Sequence, residues 1–304
     1  SAALEKGFTP ATIVNDAPFN VSAEKTGGDA WEPKNYDGKF EGPMRLRTAL
    51  AKSKNLVTVR VLQAIGPQYA QDYVAKFGFD PRQHPAYLTM GLGAGSATPV
   101  QMGGAYSVFA NGGYRISPYL IAKIIDVKGN VLSQAEPAVA GETAERAIDP
   151  RNAFVMTTML RDVVAYGTAT RAQSLGRKDI AGKTGTTNEN VDAWFCGYTP
   201  FIVGIAWIGH DQPRTLGTNE TGAVAALPIW ISFMQRALKG QREQPIDVPP
   251  GVVQVRINDA TGLRDDTSAL LDWFFAESVP RPREDSLTPS PGGRSAQDVR
   301  NQLF

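Results

Sequence analysis

The stretch Ala181-Gly182-Lys183-Thr184-Gly185-Thr186-Thr187 holds one cation, three hydroxyls and two glycines within seven residues. On an extended strand, successive side chains alternate between two faces. Lys183 and Gly185 should therefore point one way, and Thr184 and Thr186 the other. Because Gly185 has no Cβ, another backbone or a ligand could approach it closely.

The segment Gly182-Lys183-Thr184 has the same ending as the phosphate loop Gly-x-x-x-x-Gly-Lys-Thr. That motif needs glycine at position 177, where this chain has Arg177. The run Asp179-Ile180-Ala181 is also too poor in glycine to wrap a phosphate. Both observations argue against a nucleotide-binding loop.

The alternative is the Lys-Thr-Gly strand of penicillin-binding transpeptidases and serine β-lactamases, whose partner motifs are Ser-x-x-Lys and Ser-x-Asn. The triplet Ser53-Lys54-Asn55 supplies Ser-x-Asn. Either motif alone is weak evidence, because such short patterns arise by chance in a chain of 304 residues. The surrounding motifs strengthen the interpretation.

Several longer runs stand in the order and rough spacing of one known family. They are Trp31-x-Pro33-x-Asn35-Tyr36, Leu46-x-x-Ala49-Leu50-x-x-Ser53-Lys54-Asn55, Phe109-Ala110-Asn111-Gly112-Gly113, Gly182 to Thr187 with Asp192-Ala193-Trp194-Phe195, and Trp207-x-Gly209-x-Asp211. Together these runs resemble the transpeptidase domain of bifunctional (class A) penicillin-binding proteins, and they are closest to the 1A branch. The similarity extends from Ser1 to about Asp266.

The resemblance implies an α+β fold of the penicillin-binding transpeptidase and serine β-lactamase type, with an antiparallel sheet packed between helices. Residues 1–245 would form part of the transpeptidase domain, and residues 246–279 a C-terminal extension with a short strand. Residues 280–304 contain few apolar side chains, so we expect a flexible tail there.

The resemblance also implies a set of site residues. The catalytic residues would be Ser53, Asn55 and Lys183, and the substrate-binding residues Thr184, Gly185, Thr186 and Thr187. Ser53 would help relay a proton to the leaving amine, and Asn55 would hydrogen-bond the substrate amide. Lys183 would supply positive potential. The threonine hydroxyls would hold a substrate carboxylate, and the N–H of Thr186 would contribute to the oxyanion hole.

The nucleophile motif of the family is missing, since no serine stands three residues before a lysine in a suitable place. Family members carry Ser-x-x-Lys-Pro just before a Tyr-x-Ala-Ala-Leu helix. The run Ser1-Ala2-Ala3-Leu4-Glu5-Lys6-Gly7 resembles the remainder of that helix. We therefore expect the nucleophile upstream of Ser1, and we expect a chain beginning at Ser1 to be inactive by itself.

The function implied by the resemblance is peptidoglycan cross-linking by a D,D-transpeptidase. A stem peptide ending in D-Ala-D-Ala acylates the serine, D-Ala leaves, and an amine of a second stem attacks the acyl-enzyme. β-Lactams acylate the same serine. The implied partners are these stem peptides, β-lactams and an upstream segment with the Ser-x-x-Lys helix and a glycosyltransferase domain. The implied location is the periplasmic face of the inner membrane, and no metal or organic cofactor is implied.

Two other functions stay open. A serine β-lactamase or D,D-carboxypeptidase would use water in place of the acceptor amine, whereas a non-catalytic module would only bind a cell-wall partner. The stretch 31–42 and the motif at 109–113 favour the transpeptidase.

Composition excludes several classes. A net charge of +1 gives no case for nucleic-acid binding. The single cysteine, Cys196, excludes an intrachain disulfide and is interpreted as a small apolar core residue. His84 and His210 stand outside the motifs of Ser-His-Asp hydrolases and zinc enzymes. No apolar run approaches the roughly twenty residues of a membrane span.

Helical periodicity and end signals predict five helical segments. These are 44–66 with a joint at Ser53-Lys54-Asn55, then 67–77, 98–111, 149–167 and 228–238. Ser53 or Asn55 is expected to cap the helix after the joint. Thr98-Pro99-Val100-Gln101 has the form of a capping box.

Three strand candidates, 179–186, 193–198 and 202–208, are joined by connections so short that neighbouring strands must be antiparallel. The last predicted helix should cover this sheet. Elsewhere the patterns predict a hairpin at 119–132 that projects from the core and a short strand at 252–257, while the stretch 8–39 is expected to have little regular structure.

Overall fold

The computed structural model describes residues 1–26 and 29–283 of the chain. Its helices are α1 (Ala2–Glu5), α2 (Ala23–Thr26), α3 (Leu46–Lys52), α4 (Asn55–Ile65), α5 (Pro67–Val74), α6 (Pro99–Ala110), α7 (Pro150–Ala165) and α8 (Leu227–Ala237). Its strands are β1 (Ile13–Asp16), β2 (Gly42–Arg45), β3 (Lys123–Ile125), β4 (Val131–Gln134), β5 (Ala181–Thr186), β6 (Ala193–Tyr198), β7 (Val203–Ile208), β8 (Val252–Arg256) and β9 (Leu271–Phe275). Across the described residues, no helix is both long and apolar enough to cross a membrane.

The central sheet has the order β5-β6-β7, and both pairs are antiparallel as predicted. Its middle strand, β6, has two differently covered faces. On one face, Phe195 packs edge-on against Trp230 of α8, with ring centroids 4.9 Å apart. On the other face, the Tyr198 hydroxyl hydrogen-bonds Thr157 of α7 at 2.9 Å, and the ring of Tyr106 of α6 lies 6.3 Å away. The sheet is therefore packed between helices, and β5 is left at an edge.

The helix starts follow the sequence signals. Thr98 and Gln101 form a complete capping box at the start of α6, with Pro99 in the first turn. The side chain of Asp149 accepts a hydrogen bond from the Arg151 N–H at 2.8 Å and so caps α7. These local hydrogen bonds explain why both boundaries could be predicted.

The joint between α3 and α4 differs from the prediction. Neither Ser53 nor Asn55 caps α4, because Lys54 occupies the N-cap position and Asn55 is already the first helical residue. Ser53 instead ends α3 in the left-handed conformation, with φ 58° and ψ 47°. The backbone N–H groups of Ser53 and Lys54 close the helix on the carbonyls of Leu50 and Ala49. The Ser53 hydroxyl is consequently free for a contact outside the helix.

The prediction of little regular structure over 8–39 is wrong for its first part. There β1 pairs antiparallel with β2, with Val14 opposite Met44. The strand was missed because its second buried residue is a carboxylate, Asp16, which does not fit an apolar alternation. The 119–132 hairpin is confirmed, but regular pairing in its first strand is limited to Lys123–Ile125, and β3 and β4 are exposed throughout.

The C-terminal extension contains a second strand that the sequence analysis missed, since β8 pairs antiparallel with β9. Residues 281 and 283, at the start of the predicted tail, pair with Arg264. The Arg264 N–H donates to the Arg281 carbonyl at 3.0 Å, and the Arg283 N–H donates to the Arg264 carbonyl at 2.8 Å. The rest of the predicted tail, residues 284–304, lies outside the described residues.

Candidate active site

The edge strand β5 brings Lys183 against the turn that ends α3. The Lys183 Nζ donates to the Ser53 Oγ at 2.6 Å, although the two residues are 130 positions apart in the sequence. A second hydrogen bond runs from the same Nζ to the Thr184 carbonyl at 2.9 Å. Two of the three predicted catalytic side chains are therefore in direct contact.

The charge on Lys183 has no carboxylate to balance it among the described residues, where it forms no salt bridge. Burial lowers the pKa of Lys183 from 10.5 to about 8. The residue opposite on β6 is Cys196, and burial raises the pKa of its thiol to about 12, so the thiol stays neutral. The arrangement leaves a partly desolvated cation available to an anionic ligand.

The hydroxyls of Thr184 and Thr186 bond to two different segments. Thr184 Oγ1 lies 2.6 Å from the Oγ1 of Thr168 in the loop after α7. Thr186 Oγ1 accepts a hydrogen bond from the Gly222 N–H at 3.0 Å. Gly222 begins the π-helical turn Gly222–Ala226 that leads into α8.

Close approach to Gly185 was expected because that residue has no Cβ. A Cβ there would meet the Trp194 side chain at 3.2 Å, and the tight backbone contact at this point depends instead on Gly222. A Cβ added to Gly222 would overlap the carbonyl oxygens of Gly185 and Trp194. Glycine is therefore required at position 222 for this packing. The turn that begins at Gly222 therefore packs against both β5 and β6.

The two remaining predicted side chains are those of Asn55, at the start of α4, and Thr187, directly after β5. Asn55, the first residue of α4, donates from its Nδ2 to the Lys34 carbonyl at 2.8 Å. The Thr187 Oγ1 accepts from the Asp192 N–H at 2.7 Å and so closes the turn between β5 and β6. In the described structure Thr187 therefore has a local structural partner, and its substrate-binding role stays a prediction.

Two polar residues beside the site were missed. Thr168 bonds Thr184, as described above, and its N–H donates to the Ala51 carbonyl at 3.2 Å, which ties the loop after α7 to α3. Lys54, the middle residue of Ser-x-Asn, is only 3% exposed and is surrounded by carboxylates. No sequence pattern indicates that Thr168 lies beside the site. The burial of Lys54 could have been predicted only by knowing which acidic residues surround it.

The letters Ser-x-x-Lys do occur once in the chain, as Ser22-Ala23-Glu24-Lys25. Ser22 is exposed and directly precedes α2, a helix of four residues. That helix packs beside the turn Leu88–Leu92. The contact between Lys183 and Ser53 does not involve this segment, so an upstream nucleophile stays the prediction.

Comparisons with known proteins agree with this architecture. A sequence model of the penicillin binding protein transpeptidase domain matches residues 1–225. Penicillin-binding protein 1A of Neisseria flavescens is 51% identical over 253 residues, covering 83% of this chain and 32% of that protein. Penicillin-binding protein 1A of Neisseria meningitidis is 45% identical over 306 residues, covering 98% of this chain and 38% of that protein.

A solved structure that resembles this chain is also that of a penicillin-binding protein 1A. A crystal structure of penicillin-binding protein 1A from Haemophilus influenzae matches with a TM-score of 0.88 and 35% identity, over 93% of this chain and 47% of that one. The chain spans about a third of the length of the Neisseria relatives, 32% and 38%. The predicted α+β transpeptidase fold and the resemblance to the 1A branch are confirmed. The chain belongs to the penicillin-binding protein transpeptidase family.

Proposed function

We propose that this chain is part of a peptidoglycan D,D-transpeptidase that cross-links stem peptides through a serine acyl-enzyme. The observation that carries the proposal is the hydrogen bond between Lys183 and Ser53 at 2.6 Å. It joins the Lys-Thr-Gly strand to the Ser-x-Asn turn, as a shared substrate site requires. The unbalanced Lys183 charge suits the carboxylate of a D-Ala-D-Ala terminus or of a β-lactam.

The direction of this hydrogen bond suggests a role for Ser53. An ammonium group has three donors and no acceptor, so the Ser53 oxygen accepts from Lys183 and keeps its own O–H proton free to donate. In the proposed reaction, a serine hydroxyl gives its proton to a base, its oxygen bonds to the penultimate D-Ala carbonyl carbon, and the C–N bond breaks. The Ser53 hydroxyl relays the proton that the departing amine takes up. An acceptor amine then attacks the acyl carbon, the ester C–O bond breaks, and the proton that the amine loses returns to the serine oxygen.

The nucleophile is proposed to lie upstream of Ser1, in a Ser-x-x-Lys motif whose lysine serves as base. A glycosyltransferase domain would lie further upstream, and the protein would act on the periplasmic face of the inner membrane. Asn55 would hydrogen-bond the substrate amide, and Thr184 to Thr187 would line the groove beside it. The Thr186 N–H would contribute to the oxyanion hole.

The test compares two proteins. Residues 1–304 and a longer form that includes the upstream segment are expressed, incubated with a fluorescent penicillin, boiled and run on a denaturing gel. We expect a covalent signal on the longer form only. A signal on residues 1–304 would place the nucleophile within this chain, with Ser53 the first candidate. Labelling of neither form would favour the non-catalytic module, and rapid loss of the label by hydrolysis would favour a β-lactamase.

The pKa of Lys183 gives a pH prediction. Because the pKa is about 8, Lys183 loses its charge as the pH rises through that value. The second-order rate constant for penicillin acylation of the longer form should therefore fall above about pH 8, since that constant reports the pKa values of the free enzyme. Lys183→Arg keeps its charge at high pH, so the alkaline fall should move upward. An unchanged alkaline limb in Lys183→Arg would contradict the assignment to Lys183.

A further inference from the structure

The middle residue of Ser-x-Asn, Lys54, has its ammonium group among three carboxylates. Its Nζ lies 2.9 Å from Glu41 Oε1, 3.1 Å from Asp37 Oδ2 and 3.4 Å from Asp16 Oδ2. Asp16 is fully buried, at 0% exposure. We call Lys54 and these three carboxylates the Lys54 cluster. Its residues come from β1, from the loop between 35 and 41, and from the start of α4.

The loop that supplies two of these carboxylates is itself fixed by Asn35, the asparagine of the Trp31-x-Pro33-x-Asn35-Tyr36 motif. The Asn35 Nδ2 donates to Asp16 Oδ1 at 2.6 Å and to the Lys39 carbonyl at 2.7 Å. The Asn35 Oδ1 accepts from the Leu56 N–H at 3.3 Å, in the first turn of α4. Asn35 thus binds both the cluster and the helix that begins at Asn55.

The backbone that carries Ser53 and Asn55 has to be held in place by contacts of this kind. Ser53 is a non-glycine residue held at φ 58°, a left-handed conformation that is unfavourable for a residue with a Cβ and persists only where the surroundings enforce it. Lys54 is the next residue, and its buried side chain holds the backbone directly after Ser53. Burial alone would lower the pKa of Lys54, but the hydrogen bonds that Lys54 donates to Glu41 and Asp37, together with the charge of Asp16, raise the pKa above the ordinary lysine value. The ammonium therefore keeps its charge.

We propose that Lys54 is a positioning residue, whose ion pairs with Asp16, Asp37 and Glu41 hold Ser53 and Asn55 in register with Lys183. The inference rests on the proposed transpeptidase function and assigns a role to the central residue of its Ser-x-Asn motif. Lys54 touches no substrate in this proposal. It acts by fixing the turn, so its loss should affect the chemical step more than initial binding, because small misplacements of reacting groups cost up to about 10²-fold in rate.

The test uses Lys54→Met in the longer form that includes the upstream segment. Lys52→Met is the matched control, since Lys52 also pairs with Glu41 but is 42% exposed. Asp37→Asn is a milder second variant, because Asp37 is 48% exposed and its loss leaves the buried Asp16 and Lys54 paired. For each folded protein, penicillin acylation is resolved into the binding constant and the first-order acylation rate constant. Hydrogen exchange of residues 35–41 and 53–58 is measured in parallel.

We expect Lys54→Met to lower the first-order acylation rate constant about tenfold or more with little change in the binding constant, and to speed exchange in both segments. Asp37→Asn should shift both readouts in the same direction by less, and Lys52→Met should shift neither.

For Lys54→Met, a lower melting temperature with an unchanged acylation rate constant would overturn the proposal, and so would unchanged hydrogen exchange in both segments. If the unmutated protein is not acylated, the transpeptidase proposal fails, and the exchange experiment still decides whether Lys54 holds the turn. If Lys54→Met does not fold, a normal acylation rate constant in Asp37→Asn overturns the proposal.

Discussion

Lys183→Ala should slow acylation by penicillin by about a hundredfold or more in the protein that includes the nucleophile segment, the scale seen when a preorganised electrostatic group is removed. The physical reason is the position of the Nζ, 2.6 Å from Ser53 Oγ and without a carboxylate partner in the described structure. Its loss would remove the positive potential of the site and the donor that orients the Ser53 hydroxyl.

The matched control is Lys178→Ala, which removes an exposed lysine shortly before the same strand. Its acylation rate should equal that of the unmutated protein. Stopped-flow measurement with a chromogenic β-lactam gives the rate, and circular dichroism confirms that both variants are folded. A folded Lys183→Ala variant that is acylated at the normal rate would show that Lys183 does not belong to the site.

Asp272→Ala should have the largest effect on stability. Asp272 lies on β9 with its side chain at 0% exposure, and it pairs with Arg47 at 2.6 Å and Arg45 at 3.3 Å. Removing one partner of a buried ion pair costs about 3–5 kcal/mol, because the remaining charges are left uncompensated. For a domain of this size, the melting temperature should fall by about 10 °C.

The control for this variant is Asp259→Ala. Asp259 also pairs with Arg45, at 2.6 Å, but it is 76% exposed, and an exposed ion pair contributes only about 0–1 kcal/mol. Urea unfolding followed by tryptophan fluorescence measures both. Equal stabilities of the two variants would mean that the buried pair does not hold the β8–β9 hairpin to the start of α3.

The Asp272 ion pairs also connect the C-terminal extension to the candidate site. Arg47 lies in the first turn of α3, and Ser53 ends the same helix. Arg47 further donates to Asp162 and Thr158 of α7, each at 2.9 Å. The helix that presents Ser53 is therefore fixed at its start by charges from two elements far away in the sequence.

The sequence by itself determined the central sheet and most helix boundaries. Strands β5, β6 and β7 could be predicted because their connections are too short for any arrangement but antiparallel neighbours. The start of α6 could be predicted because a capping box satisfies its free N–H groups within four residues. The Lys-Thr-Gly and Ser-x-Asn motifs could identify the candidate residues because each motif is a pattern of three neighbouring residues.

Only the tertiary structure decided how those residues meet. The contact of Lys183 with Ser53 spans 130 positions, and it exists because β5 and α3 both pack against α7. The burial of Lys54 and Asp16 was equally hidden, because a charged side chain in a sequence predicts a solvated surface unless its partners are known. Strand β1 was missed for that reason. Its buried carboxylate is stable because Asn35, Lys54 and the Glu41 N–H, all distant in sequence, supply the hydrogen bonds and charge that water would otherwise provide.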